Sequence, residues 1–142
     1  MAATYHLSSA RRAINFFVRA GLALGLGETN TRTLTVVGRK SGKPLSTPVT
    51  LVVEDGSEWI VAPYGERQWV KNLRAAGKAT LSRGLKRRDV TVRELTPEEA
   101  APVIRRYIER VPVTAHYWDV TAGDPDEAIL AEAAHHPVFL VE

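Results

Sequence analysis

Between residues 32 and 62, turn signals come so close together that the segments between them have room only for hairpins. Residues 32–37 (RTLTVV) alternate polar and apolar side chains. GRKSGKP follows, placing two glycines and a proline in seven residues. Residues 45–54 resume as a β-branched run, Asp55-Gly56-Ser57 is a turn signal, and residues 58–62 read as a third strand. Two consecutive hairpins specify an antiparallel sheet rather than βαβ units. Residues 66–76 predict a short helix with Trp69, Val70 and Leu73 on one face, ended by Gly77. Residues 78–83 and 87–95 then read as two strands around Gly84.

The second part of the chain changes character. Thr96-Pro97-Glu98-Glu99 combines an N-cap threonine, proline at the first helical position and glutamate three residues after the cap. That helix is expected to run to about Glu109, where Val111-Pro112 stops it. An irregular stretch with His116, Tyr117 and Trp118 leads to a helix over 124–134 and a closing strand over 136–141. About six short, mostly antiparallel strands with helices at the periphery predict an α+β fold, a small closed or split β-barrel. The closing strand would hydrogen-bond an edge otherwise left open. At 142 residues the chain is expected to be one domain. It divides into an N-terminal amphipathic helix (1–28), a barrel core (32–95), and late helices with the closing strand (96–142).

Residues 9–27 begin like a twin-arginine export signal, but Arg19 interrupts the apolar run and no small-x-small cleavage site follows. Read as a helix, Ile14, Phe17, Val18 and Leu22 share a face that Arg11, Arg12, Asn15 and Arg19 avoid. This pattern favours packing on the domain itself over peripheral contact with an anionic membrane, and a cytoplasmic location.

Charge is distributed unevenly. Residues 1–93 carry 16 Lys/Arg and six Asp/Glu, whereas residues 94–142 carry three and ten. A basic majority of that size points to an anionic partner. Several chemistries are absent. With no cysteine there is no disulfide, thiolate metal site or cysteine nucleophile. His6, His116, His135 and His136 show no i, i+4 pairing with one another, so no metal is expected. No GxSxG elbow marks a hydrolase. The paired carboxylates at 98–99 and 124–127 sit at helix starts, where the helix dipole accounts for them.

Two clusters remain. Gly38, Arg39, Lys40, Ser41, Gly42, Lys43 and Pro44 place three cations, a hydroxyl and exposable backbone N–H groups on one hairpin. Such a turn either binds an anion or is a solvated tip that blunts a sheet edge. Ala62, Pro63, Tyr64 and Gly65 turn the chain from a strand into a helix carrying Gln68, Trp69 and Asn72. Glycine there permits close approach by a flat ligand, and helix N-termini attract anions. Spacing makes Trp69 a core residue first; Asn72 on the same face is harder to place in a core. Lys86-Arg87-Arg88 adds a third basic run.

In this order, GRKSGKP, TPV, DGS, APYG and WVKNLRAAG, followed by HPVFLVE, closely resemble the deazaflavin-dependent nitroreductase family. The resemblance runs over residues 33–95 and resumes at the closing strand. It implies coenzyme F420 on a split barrel of the flavin-reductase and pyridoxamine-oxidase type. It also implies an oxidoreductase that transfers a hydride from the reduced deazaflavin to an electron-poor acceptor. Arg39, Lys40, Ser41, Gly42, Lys43 and Pro44 would then hold the phosphate and oligoglutamate tail. Ala62, Pro63, Tyr64 and Gly65 would line the ring, with Gln68, Trp69 and Asn72 closing that side. Nitroimidazole-reducing relatives carry several spaced tyrosines before the closing strand, and here only Tyr117 matches. The expected acceptor is therefore another small planar electrophile: a quinone, an enone or an unsaturated lactone. Tyr64, His116 and Tyr117 are the candidates for polarising it or supplying a proton, and Trp69 and Trp118 are either walls of its pocket or core. The alternatives are a flavin mononucleotide enzyme on the same barrel, or a non-enzymatic module binding cofactor or nucleic acid. Nucleic acid is not expected, because no exposed aromatics interleave with the basic run.

Overall fold

The computed structural model describes residues 30–142, apart from the side chains of Val113, Ala115 and His116. The helix expected over 9–27 lies outside the described residues. Six strands form a closed barrel: β1 (Thr31–Val37), β2 (Pro44–Glu54), β3 (Ser57–Val61), β4 (Lys78–Arg83), β5 (Lys86–Glu94) and β6 (Val138–Val141). Around the barrel they run β1-β2-β3-β6-β5-β4, every neighbour antiparallel. The last strand fits between β3 and β5, with Ile60 opposite Phe139 and Arg93 opposite Leu140. Both edges are thereby consumed, as the sequence predicts for the closing strand.

Why some strands alternate and others read as apolar runs follows from what covers them. Leu34, Val36, Leu51, Ile60, Leu81, Val90 and Phe139 fill the barrel. Val52, Val61 and Val138 face the other way, into a second cluster with Val103, Ile104, Tyr107 and Ile129. That cluster sits beneath α2 (Pro97–Arg110) and α3 (Asp126–Ala133). Strands β2, β3 and β6 are thus buried on both faces, whereas β1 and β5 keep a polar face in water. The third helix, α1 (Gln68–Ala76), packs against β1 and β4.

Element boundaries move by a residue or two from the sequence expectation. Helix α1 starts at Gln68, because Glu66 precedes the cap and Arg67, the N-cap, is extended. Gly77 ends it in the left-handed conformation (φ 69°), donating its N–H to Leu73 O. The stretch expected to be irregular is a short 3-10 helix, Pro112–Tyr117. Helix α3 begins at Asp126, after an extended Pro125. Among the described residues no helix is long and apolar enough to cross a membrane.

Helix α2 starts as its sequence specifies. Thr96 Oγ1 accepts the Glu99 N–H (3.3 Å) and Glu99 Oε1 accepts the Thr96 N–H (3.1 Å). The Thr96 N–H, with Arg93 next to it, holds the Glu99 carboxyl below the usual carboxylate range. A lowered folded-state pKa means that its stabilisation is present at neutral pH and is lost as pH falls through the lowered value. Glu99→Gln is therefore expected to melt earlier than wild type at neutral pH. The two melting curves should converge in strong acid, as pH-dependent thermal denaturation would record.

Antiparallel closure gives the barrel two distinct ends. The β1–β2 hairpin, residues 62–67, Gly77 and the start of β6 share one end. The Asp55-Gly56 and Gly84-Leu85 turns and the end of β6 share the other.

Candidate functional site

The first of these ends gathers nearly every residue singled out in the sequence. In the β1–β2 hairpin the Gly38 N–H donates to Lys43 O (2.8 Å) and the Gly42 N–H to Gly38 O (2.9 Å). Ser41 Oγ turns inward and accepts the Lys43 N–H at 3.2 Å. A Cβ on residue 38 would lie 2.6 Å from that hydroxyl oxygen, so a side chain there would displace Ser41 from its bond to the Lys43 N–H. Gly42 supplies a positive φ of 71° at the tip. Lys40, Lys43 and Pro44 are left exposed.

Arg39 ties this loop to α1. Its backbone N–H (3.1 Å) and Nη1 (2.8 Å) both donate to Asn72 Oδ1, and Nη2 donates to Gln68 Oε1 (2.9 Å). This accounts for Asn72, which is only 3% exposed: its carbonyl is the acceptor that anchors the hairpin. Trp69 is half-buried against the barrel cluster, the packing role that its spacing favours. Both amide partners of Arg39 are neutral, so the guanidinium is held in place while its charge stays uncompensated among the described residues.

Elsewhere on the surface several arginines are matched by carboxylates. Arg74 pairs with Glu66 and Glu94, Arg88 with Glu58, Arg93 with Glu99, Arg105 with Asp126, and Arg106 with Glu54. Among the described residues Lys40 and Lys43 have no ion-pair partner, as is also true of Lys71, Lys78, Lys86 and Arg87. The third basic run, Lys86-Arg87-Arg88, lies at the opposite end of the barrel with Arg32 and Arg83. Burial, and then the neighbouring Arg83, lowers the Arg32 pKa. The basic majority is therefore split between two ends, which a sum over sequence cannot reveal.

The second cluster lies at the same end of the barrel. Ala62 is buried and donates its N–H to Pro137 O (3.0 Å), and the Gly65 N–H returns to Ala62 O (3.2 Å). Gly65 has φ 84°, and a Cβ there would sit 3.4 Å from His135 O. The Tyr64 ring meets Tyr117 edge to face, with centroids 4.7 Å apart. Two of the three candidate proton-handling residues are thus in contact; the side chain of the third, His116, lies outside the described residues. Trp118 is core: it is 5% exposed, stacks on His136 and donates its indole N–H to Thr114 Oγ1 (3.2 Å).

One pair escaped the sequence reading. Glu132 and His136, both buried, bond through Oε1 and Nε2 at 2.9 Å. Their i, i+4 spacing is a signal visible in the sequence, as a Glu–His pair rather than a pair of histidines.

A family model described as F420H(2)-dependent quinone reductase matches residues 11–124. Among solved structures, one described as a domain-swapped dimer is 26% identical. It covers 94% of this chain and 96% of its own, with a TM-score of 0.60. Another, described as the F420-H2 dependent reductase FDR-A, is 29% identical over 80% of this chain and 95% of its own, TM-score 0.59. A NimC/NimA family protein from Clostridium acetobutylicum shares the fold alone, at 16% identity over 87% and 80% of the two chains, TM-score 0.53. No curated protein matches the sequence.

Proposed function

Because the chain belongs to the F420H2-dependent quinone reductase family, an F420H2-using family of oxidoreductases, we propose that its site lies at the barrel end that carries the β1–β2 hairpin and the 62–65 turn. In this reading Lys40 and Lys43 take the anionic tail of the cofactor, on a loop that Arg39 fixes to Asn72 and Gln68. Ala62, Pro63, Tyr64 and Gly65 line the deazaflavin ring. The observation that carries it is the uncompensated charge of a pinned hairpin beside a glycine turn at the same barrel end. The residues present fit the group: cations without carboxylate partners among the described residues for its acidic tail, and a turn that Gly65 bends through a positive φ at the same barrel end for its planar ring.

The hydride for the acceptor comes from the reduced deazaflavin when it is bound; binding, orientation and exclusion of water fall to the chain. No nucleophile or triad is required. Tyr64, Tyr117 and His116 are the groups proposed to hydrogen-bond the acceptor oxygen and return a proton to it. The acceptor class is a quinone, in keeping with the family. Tyr117 makes its ring contact to Tyr64 rather than standing in a row of tyrosines, which favours a compact planar acceptor.

Titration of the protein with oxidised F420 and with flavin mononucleotide tests the assignment. Preference for the mononucleotide would overturn it. Replacing both lysines, Lys40→Gln with Lys43→Gln, is expected to weaken F420 binding roughly tenfold at low salt, at under about 1 kcal/mol for each exposed pair. The wild-type affinity should fall towards that of the variant as salt rises. Equal affinity in low salt would remove the lysines from the tail site.

A further inference from the structure

Both ring nitrogens of His136 face acceptors. Nδ1 lies 3.0 Å from Ala62 O, which has no proton to give, so Nδ1 carries one. Nε2 lies 2.9 Å from Glu132 Oε1, which also accepts the Asp119 backbone N–H at 3.3 Å. A second proton therefore lies between Nε2 and Oε1, and the pair is neutral as a whole. That neutrality makes burial tolerable for two groups 5% and 7% exposed. Trp118 closes the site, its ring stacked at 4.0 Å on the imidazole.

What this pair grips is the turn assigned above to the deazaflavin. The Ala62 carbonyl takes the Gly65 N–H and His136 Nδ1–H together, while the Ala62 N–H goes to Pro137 O. Gly65 rests against His135 O. Residues 135–137 form a bed beneath residues 62–65, and His136 is the side-chain link between them.

We propose that His136 is the positioning residue of the cofactor-lining turn: oriented by Glu132, its Nδ1–H fixes the Ala62 carbonyl and thereby the backbone from Ala62 to Gly65, with Tyr64 upon it. The inference rests on the reading of that turn as the deazaflavin wall.

Two isosteres separate positioning from plain stability. An asparagine amide can stand in for Nδ1–H, and a glutamine amide for Nε2–H. His136→Asn keeps the donor to Ala62 and loses Glu132; His136→Gln does the reverse. His136→Gln is expected to weaken binding of oxidised F420 about tenfold, and His136→Asn by no more than about threefold. At saturating acceptor, the loss should appear in KM for F420 more than in kcat. Amide exchange at Gly65 should quicken in His136→Gln and stay near wild type in His136→Asn, with the β1–β2 amides unchanged in both. Indistinguishable F420 affinity and Gly65 exchange in the two variants would overturn the proposal, whatever their melting temperatures. If wild type itself fails to bind F420 while Gly65 exchange still separates the variants, the cofactor assignment fails and the clamp on the turn stands.

Discussion

Asn72→Leu is expected to cost about 2 kcal/mol of stability and to weaken F420 binding at least tenfold, the larger effect being on the ligand. The substitution is close in volume, so little of the loss comes from packing. It removes the one oxygen that accepts both the Arg39 backbone N–H and Nη1. Water can reach the exposed guanidinium, which limits the cost to the fold. Water cannot restore the tie between the loop and α1, of which the Arg39–Gln68 bond would remain. Asn72→Asp separates the two effects. Its carboxylate keeps the acceptor and adds attraction to Arg39, so stability should be held or gained. The new negative charge beside the tail site should still lower affinity. Denaturant melts with parallel titrations would check both variants. Wild-type affinity in Asn72→Asp would show that the charge of Arg39 is not sensed by the ligand.

Phe139→Ala is the second large effect, and it bears on the fold. Phe139 is 1% exposed on the closing strand, opposite Ile60 and Glu94, inside the barrel. Truncating a buried phenylalanine typically costs about 3–5 kcal/mol, a large share of the roughly 5–15 kcal/mol that holds a domain of this size together. The melting temperature should fall by about 10–20 °C. Phe139→Leu, which refills most of the volume, should lose under about 2 kcal/mol. A drop below about 1 kcal/mol in the alanine variant would mean that the barrel interior does not depend on its last strand.

The fold was legible because its signals are local. Two turns within thirty residues, a glycine after Ala76 and the Thr96 capping box each act through nearest neighbours, and each appears where the residues call for it. The hairpin and the 62–65 turn were legible as chemistry for the same reason. What those residues touch was not. Arg39 reads as an anion ligand until Asn72, 33 residues away, is seen to hold it. The role of His136 depends on the Ala62 carbonyl, 74 residues distant in sequence. Trp118 could not be assigned to core or cleft until Thr114 and His136 were found beside it. The split of the basic residues between two ends arises from strand register, which composition does not contain.

Strand order also sets a timetable for synthesis. Because β6 is inserted between β3 and β5, a nascent chain can pair β1 with β2 and β4, but it has an open seam until residues 138–141 have been made. The seam is an exposed strand edge, and such edges invite pairing with other chains. Residues 135–137, the bed of the 62–65 turn, emerge just before the seam can close. A ribosome-bound intermediate therefore presents the basic hairpin early but lacks the support beneath the 62–65 turn until residues 135–137 have been made. Under the proposed site, ligand capture and closure of the seam become one event, so a cofactor present during translation would act on the step at which the chain is most exposed to misassembly.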